Sequence, residues 1–396
     1  MAGLYLHIPF CKSRCIYCGF YSTTLSSTWQ NRYVEALCRE MEMRAEKSGE
    51  RGETSDERGE RRDERGERIE TIYLGGGTPS LLTADNLQRL FDAIRLHYEV
   101  SALQEVTIEC NPDDVTASFA EVLPQLGINR TSLGIQTFSD ERLRFLHRRH
   151  TAQQAVEAIH RLRQAGIANV SIDLMFGFPG QTLDQWLADI RQAVALQPQH
   201  ISAYSLMIEE GTPLYKWIME NGEWKMENGS DELSRQMYEA LIDGLAAAGY
   251  EHYEISNWCL PGFRSRHNSS YWNQTPYIGI GAAAHSYDGH TRSWNVSDLQ
   301  QYVESIEQGK RPFTAEVIDE DTRYNDLITT ALRTRDGINL NTLPDRYRRY
   351  LLQQARRSLD AGFLKIETSS EGKSFIHLTR QGLFVSDDVM SDLIWV

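Results

Sequence analysis

Tyr5-Leu-His-Ile-Pro-Phe-Cys11-Lys-Ser-Arg-Cys15-Ile-Tyr-Cys18 sets three cysteines at CxxxCxxC spacing just after an apolar run at 4–8 that reads as a strand. The spacing offers three thiolates from one short loop to one centre, and no fourth. A structural zinc site takes four ligands, usually as two CxxC pairs, so zinc here would need a further donor such as His7. A simple ferredoxin-type cluster also takes four cysteines. Three thiolates suit a cubane iron–sulfur cluster whose fourth iron stays open to a small molecule.

Outward from this loop, strand and helix signals alternate. Apolar or β-branched runs at 4–8, 69–74, 106–110, 131–135, 170–176 and 201–206 predict strands. Helical spacing at 84–97, 119–126, 140–146, 152–165 and 183–196 predicts helices between them. Such alternation implies parallel βα units. Six units are too few to close the usual eight-strand barrel, so a partial (βα)6 TIM-like barrel is expected. Its mouth, at the C-terminal strand ends, is where such folds carry their chemistry. The cysteine loop follows the first strand and falls at that end.

Residues 1–300 are assigned to this barrel and a ligand-binding region, and 310–396 to a small C-terminal domain. There, helices at 321–334 and 343–361 followed by short strands at 363–366 and 375–378 predict a winged-helix-like α+β unit. Arg346, Arg348, Arg349, Arg356 and Arg357 stand among acidic residues, so a DNA-reading helix is not expected. Residues 50–67 repeat with period seven (ERGETSD-ERGERRD-ERGE). A coiled coil would need apolar residues at two positions per repeat, and Gly, Ser, Thr, Arg and Asp occupy them. The expectation is a charged insertion at 47–68, lengthening the loop between a helix at 29–44 and the second strand.

The net charge of −14 argues against nucleic acid as the main partner. No apolar run is long enough for a bilayer, and no signal peptide is read at the N-terminus. Six cysteines in 396 residues do not make a disulfide scaffold, so a reducing, cytoplasmic setting is expected. Cys38, Cys110 and Cys259 read as small buried residues.

Polar or glycine motifs follow each of the next four predicted strands. Gly75-Gly-Gly77-Thr78-Pro79 permits a close backbone approach to a ligand. Glu109-Cys-Asn111-Pro112 ends the third strand with a carboxylate able to take ribose hydroxyls. Ser132-Leu-Gly134-Ile-Gln136-Thr137-Phe138, with Arg148 beyond it, follows the fourth, and Asp173-Leu-Met-Phe-Gly177-Phe-Pro179-Gly180 the fifth. Each polar residue has an ordinary structural reading as a cap, ion pair or satisfied interior group. Their succession along neighbouring strand ends favours one shared site.

With the cysteine triplet, these motifs resemble the coproporphyrinogen-oxidase-like branch of the radical S-adenosylmethionine (SAM) superfamily, over nearly the whole chain except the insertion. That branch contains an anaerobic coproporphyrinogen III dehydrogenase and a haem chaperone. The resemblance implies that Cys11, Cys15 and Cys18 ligate a 4Fe–4S cluster. It also implies that Tyr5, Gly76, Gly77, Thr78, Glu109, Gln136, Arg148 and Asp173 line a SAM site. The decarboxylating enzymes carry a further cysteine two places past the third ligand, where this chain has Phe20. They also carry an N-terminal extension, where only Met1-Ala-Gly precede the first strand here.

His267-Asn268-Ser-Ser-Tyr271-Trp272 resembles the haem-binding motif of the chaperones. The resemblance implies His267 as ligand of the haem iron, with Asn268, Tyr271 and Trp272 in contact with haem. A histidine can be an axial ligand, and aromatic rings pack against a porphyrin. His285, after the small-residue turn Gly279-Ile-Gly281-Ala-Ala-Ala, is the second candidate ligand. The expected function is haem binding and transfer to an acceptor protein, without coproporphyrinogen oxidation. The alternative is the oxidative decarboxylation of propionate side chains, which would use the same cluster and SAM residues.

Overall fold

The computed structural model describes residues 2–25, 27–51, 67–221 and 231–396. Six strands lie parallel and in chain order: β1 (Ala2–Ile8), β2 (Ile69–Gly76), β3 (Glu105–Cys110), β4 (Arg130–Gln136), β5 (Asn169–Phe176) and β6 (His200–Ser205). Between them run α1 (Ser27–Arg51), α2 (Ala84–His97), α3 (Ala117–Gln125), the pair α4 (Asp140–Phe145) and α5 (Ala152–Gln164), and α6 (Leu183–Ala195). Helices α2 to α6 each begin after a Ser or Thr whose hydroxyl accepts a backbone N–H three residues on: Thr83, Thr116, Ser139, Thr151 and Thr182. The strands alternate in side-chain direction. Leu4, Leu6, Ile8, Ile72, Leu74 and Val106 join the apolar core with the helices. The opposite face carries polar and aromatic groups, among them Tyr5, His7, Thr71, Tyr73 and Glu109, which bond to one another or to α9 across it.

The sheet does not stop at six strands. After α7 (Pro213–Asn221) and α8 (Asp231–Ala247), β7 (Glu251–Glu254) and β8 (Asn257–Cys259) extend it beyond β6. After α9 (Arg266–Trp272), β9 (Tyr277–Ile280) pairs parallel with β1. The antiparallel β10 (His285–Tyr287), β11 (Thr291–Asn295) and β12 (Phe313–Val317) follow, with α10 (Leu299–Glu307) before β12. The result is one open twelve-stranded sheet. Most of the added strands are only three or four residues long, too short for a periodic signal in the sequence.

Two buried contacts lock the ends of the sheet. Trp186 of α6 donates its Nε1–H to the Met237 carbonyl of α8 at 2.9 Å. Glu40 of α1 is fully buried and accepts from Gly281 N–H at 2.9 Å, Asn295 Nδ2 at 3.0 Å and the Tyr302 hydroxyl at 2.6 Å. Arg311 Nε lies 3.2 Å from its carboxylate.

The C-terminal part has its own apolar core, including Ile328, Leu351, Ile376 and Leu393. It runs α11 (Glu320–Ala331), β13 (Ile338–Asn339), α12 (Asp345–Gln354), α13 (Arg356–Asp360), β14 (Leu364–Thr368) and β15 (Ser374–Leu378). The helix expected at 343–361 is thus two helices, and a third strand, β13, pairs with β15. Ion pairs Arg333–Glu254 at 3.0 Å and Arg264–Asp336 at 3.0 Å tie this part to the barrel. Among the described residues no helix is long and apolar enough to cross a membrane. Cys110 and Cys259 are buried as expected, but Cys38 is only half-buried. Helix α1 runs past the expected 44 to Arg51, and the core of the charged repeat, 52–66, lies outside the described residues.

Candidate functional site

The cysteine loop hangs from the C-terminal end of β1. Backbone bonds pin its base: Cys11 N–H to Thr23 O at 2.8 Å, and Thr23 N–H to Pro9 O at 2.7 Å. Cys11, Cys15 and Cys18 are half-buried free thiols. The Thr78 hydroxyl, beyond β2, donates to Cys11 Sγ at 3.5 Å, and Arg148 Nη1, beyond β4, to Cys15 Sγ at 3.4 Å. Burial raises the thiol pKa of Cys11 and Cys18, whereas such donors and positive charge favour the thiolate.

His7 cannot complete a zinc site here. Its Nε2–H donates to Tyr21 O at 3.1 Å and its Nδ1 accepts from the Tyr5 hydroxyl at 3.0 Å. Among the described residues no three His, Cys, Asp or Glu side chains converge closely enough to hold one metal ion. A cubane cluster takes thiolates spread around a larger core, so three unbridged thiols on one loop fit it as a donor set.

The glycine turn is closely approached by protein where side chains would stand, although Gly76 and Gly77 remain half-buried. A Cβ on Gly75 would lie 2.8 Å from the Tyr73 ring, one on Gly76 (φ +112°) 2.6 Å from the His7 ring, and one on Gly77 2.7 Å from the Pro9 carbonyl carbon. These glycines therefore serve the mutual approach of β1, β2 and the cysteine loop. The Gly76 amide donates to Glu109 Oε2 at 3.2 Å and the Gly77 amide to Ile8 O at 2.8 Å, so neither is free for a ligand. Glu109 also accepts from the Tyr73 hydroxyl at 2.7 Å. Burial pushes the Glu109 carboxyl up to about 7, against the pull of the Tyr73 hydrogen bond. Burial likewise pushes Asp173 up to about 6, against the opposing charge of Arg130.

Arg148 joins the strand ends. Its Nη2 donates to Gly134 O at 2.5 Å and to Asn111 Oδ1 at 2.6 Å. Asn111 Nδ2 in turn reaches the Thr78 hydroxyl at 3.5 Å. Gln136 is buried at the end of β4 with a left-handed φ of +69°. Sequence reasoning passed over Tyr73 as a site member, weighed His7 only as a zinc donor, and quoted Asn111 within its motif without giving it a role. The period-two alternation of β1 and β2 could have placed His7 and Tyr73 beside Tyr5; Asn111 carried no such signal.

The segment expected to meet haem is divided. Glu105 accepts both the Arg266 and the His267 N–H at 3.0 Å, anchoring the start of α9. His267 is 1% exposed. Its Nδ1 bonds the Thr71 hydroxyl at 2.9 Å and its Nε2 the Tyr271 hydroxyl at 2.9 Å. Its ring stacks on Tyr73 with centroids 5.2 Å apart. Burial, then the charge of Arg130, lowers its pKa to about 3. Both nitrogens of His267, the residue expected to ligate the haem iron, are thus engaged by protein hydroxyls in this structure. Asn268 also stays off the nearby cavity, whereas Tyr271 and Trp272 line it. This cavity, about 550 Å³, lies between β1, α9, the β9–β11 edge and α11, and its wall includes Tyr5, Phe20, Tyr277, His285 and Tyr287.

Residues 5–193 match the family model of the radical SAM superfamily. Over 399 aligned residues the chain is 34% identical to the protein named heme chaperone HemW of Bacillus subtilis (strain 168), covering 98% of each. It is 35% identical to the Escherichia coli (strain K12) protein of the same name, over 72% of this chain and 69% of that one. Its fold is similar to that of coproporphyrinogen III oxidase (HemN) from Escherichia coli, a radical SAM enzyme, with a TM-score of 0.81 over 99% of this chain and 90% of that one. At 19% identity that likeness concerns the fold alone.

Proposed function

The chain belongs to the HemW family of the radical SAM superfamily, and from there we propose that it binds haem and passes it to an acceptor protein, with one 4Fe–4S cluster and SAM held at the barrel mouth. Cys11, Cys15 and Cys18 would hold the cluster, with Arg148 donating a hydrogen bond to the Cys15 sulfur. Such a cluster, when bound, supplies a redox-active centre with one iron open to the amino-acid end of SAM. Because the Gly76 and Gly77 amides are engaged, this turn would meet SAM through its carbonyls and the Thr78 hydroxyl. Glu109 and Asp173 would accept ribose hydroxyls, and Tyr5 and Gln136 would complete the walls. Residues 1–300 form the unit that carries these sites. Residues 310–396 form a module whose α11 lends Asp326 and Thr330 to the cavity. Free thiolates and an oxidisable cluster fit the reducing cytoplasm.

The observation that carries the haem reading is the aromatic cavity beside the cysteine loop. Haem is a flat, largely apolar ring, and aromatic side chains match its faces. Phe20, 72% exposed on that wall, stands where the decarboxylating relatives have a cysteine. A haem titration of the cluster-loaded protein, followed at the Soret band, tests this; saturable binding is expected and its absence would overturn the reading. Incubation with coproporphyrinogen, SAM and reductant is expected to leave the propionates intact. Catalytic decarboxylation would replace the chaperone reading with the oxidase one.

A further inference from the structure

We propose that His285, and not His267, supplies the axial nitrogen to the haem iron, while His267 holds Tyr271 in place against the porphyrin. The inference rests on the haem reading above and names the ligand within that same site.

Two histidines line the cavity, His7 and His285. Both ring nitrogens of His7 are taken, by Tyr5 and Tyr21. His267 lies behind the wall, with both nitrogens bonded and its face against Tyr73. Turning it toward an iron would strand the buried Thr71 hydroxyl and withdraw the bond that orients Tyr271. His285 has the opposite setting. It is exposed at the cavity rim, and no hydrogen bond to either of its ring nitrogens exists among the described residues. Its ring stacks on Trp294, with centroids 5.8 Å apart and planes at 23°, which fixes the imidazole plane without occupying a nitrogen. Burial and the nearby Arg292 lower its pKa, so it is the neutral base that a metal ligand must be.

The fold also explains how His285 arrives there. A Cβ at residue 279 would sit 1.9 Å from the His285 carbonyl oxygen, so only glycine lets β10 fold back against β9. Gly281 at φ +109° and Ala283 at φ +60° make the turn. Cross-strand pairing then sets Tyr287 opposite Tyr277 and Arg292, and His285 opposite Trp294. One face of β9–β11 thus offers aromatic rings and one unengaged imidazole. The small-residue turn, which the cluster and SAM site leave unused, has a role: it delivers a ligand.

The test is a titration of full-length, cluster-loaded protein with ferric and ferrous haem, read by the Soret band and resonance Raman. His285→Ala is expected to lose the ligated spectrum and to bind haem at least about tenfold more weakly, with added imidazole restoring the spectrum. His285→Met is expected to retain haem with a spectrum shifted toward thioether ligation. His267→Gln, checked by circular dichroism, is expected to keep the ligated spectrum while binding haem more weakly, because the bond that holds Tyr271 is lost. Unchanged spectra in both His285 variants would overturn the inference while leaving haem binding intact. So would loss of the ligated spectrum in a folded His267→Gln alone. Absence of haem binding by the unmodified protein would overturn the haem reading itself, and this inference with it.

Discussion

Replacing Glu109 by glutamine should reverse its sign of effect on stability with pH. The Glu109 carboxyl is raised from an ordinary 4.5 to about 7. Between those values the folded chain keeps a proton that the unfolded chain has released, so stability from this group is intact below pH 4.5 and is lost as pH rises through 7. The rise corresponds to about 3 kcal/mol at pH 8. Glutamine cannot ionise and escapes that loss. Its amide can still accept from the Tyr73 hydroxyl, but its NH2 group then faces the Gly76 N–H that now donates to Oε2. That lost bond costs about 1 kcal/mol at every pH. Glu109→Gln is therefore expected to be about 1 kcal/mol less stable than the parent at pH 4, about equal to it at pH 5, where the parent has already lost about 1 kcal/mol, and about 2 kcal/mol more stable at pH 8. Removing the charge also relieves Asp173, whose proximity helps raise Glu109. Urea unfolding of the cluster-free protein, followed by tryptophan fluorescence from pH 4 to 8, measures this. Parallel stability curves, offset by a constant at all pH values, would refute a carboxyl held near neutrality.

Three further outcomes are expected. His7 and His267 are held neutral by burial, at about 4 and about 3, so the stability tied to them is intact above pH 6.5 and lost as pH falls toward those values; His267→Gln should flatten the fall in urea midpoint between pH 6.5 and 5. Gly77→Ala would force a Cβ to within 2.7 Å of the Pro9 carbonyl carbon, and such overpacking costs about 1–3 kcal/mol; iron content after reconstitution should drop with it, while normal iron loading would count against the packing account of this turn. Glu40→Leu leaves Arg311, the Tyr302 hydroxyl and the Gly281 amide around an apolar side chain, a loss of about 3–5 kcal/mol that chemical denaturation would register; a change below about 1 kcal/mol would contradict the buried-hub reading.

Much of the barrel was legible because its signals are local. Every strand from β1 to β6 forms within two residues of its predicted ends, since each is an apolar run bounded by turn chemistry. The threonine and serine caps of α2 to α6 mark helix starts just as locally. The two sheet extensions were not legible. A three-residue strand such as Asn257–Cys259 or His285–Tyr287 is made by its neighbour's free edge rather than by its own pattern.

The sequence by itself determined that three thiols would share one loop at the end of a first parallel strand, because spacing along the chain sets how many ligands a short loop can present. It also determined the polar residues at the following strand ends. Only the tertiary structure decided which groups remain free to act. Whether an imidazole is a ligand or a strut depends on what its two nitrogens meet, and those partners come from distant segments: Thr71 and Tyr271 bind His267, Tyr5 and Tyr21 bind His7, and Trp294 contacts His285 only through its ring face. Hydrogen-bond saturation is a property of packing, and no one-dimensional pattern records it.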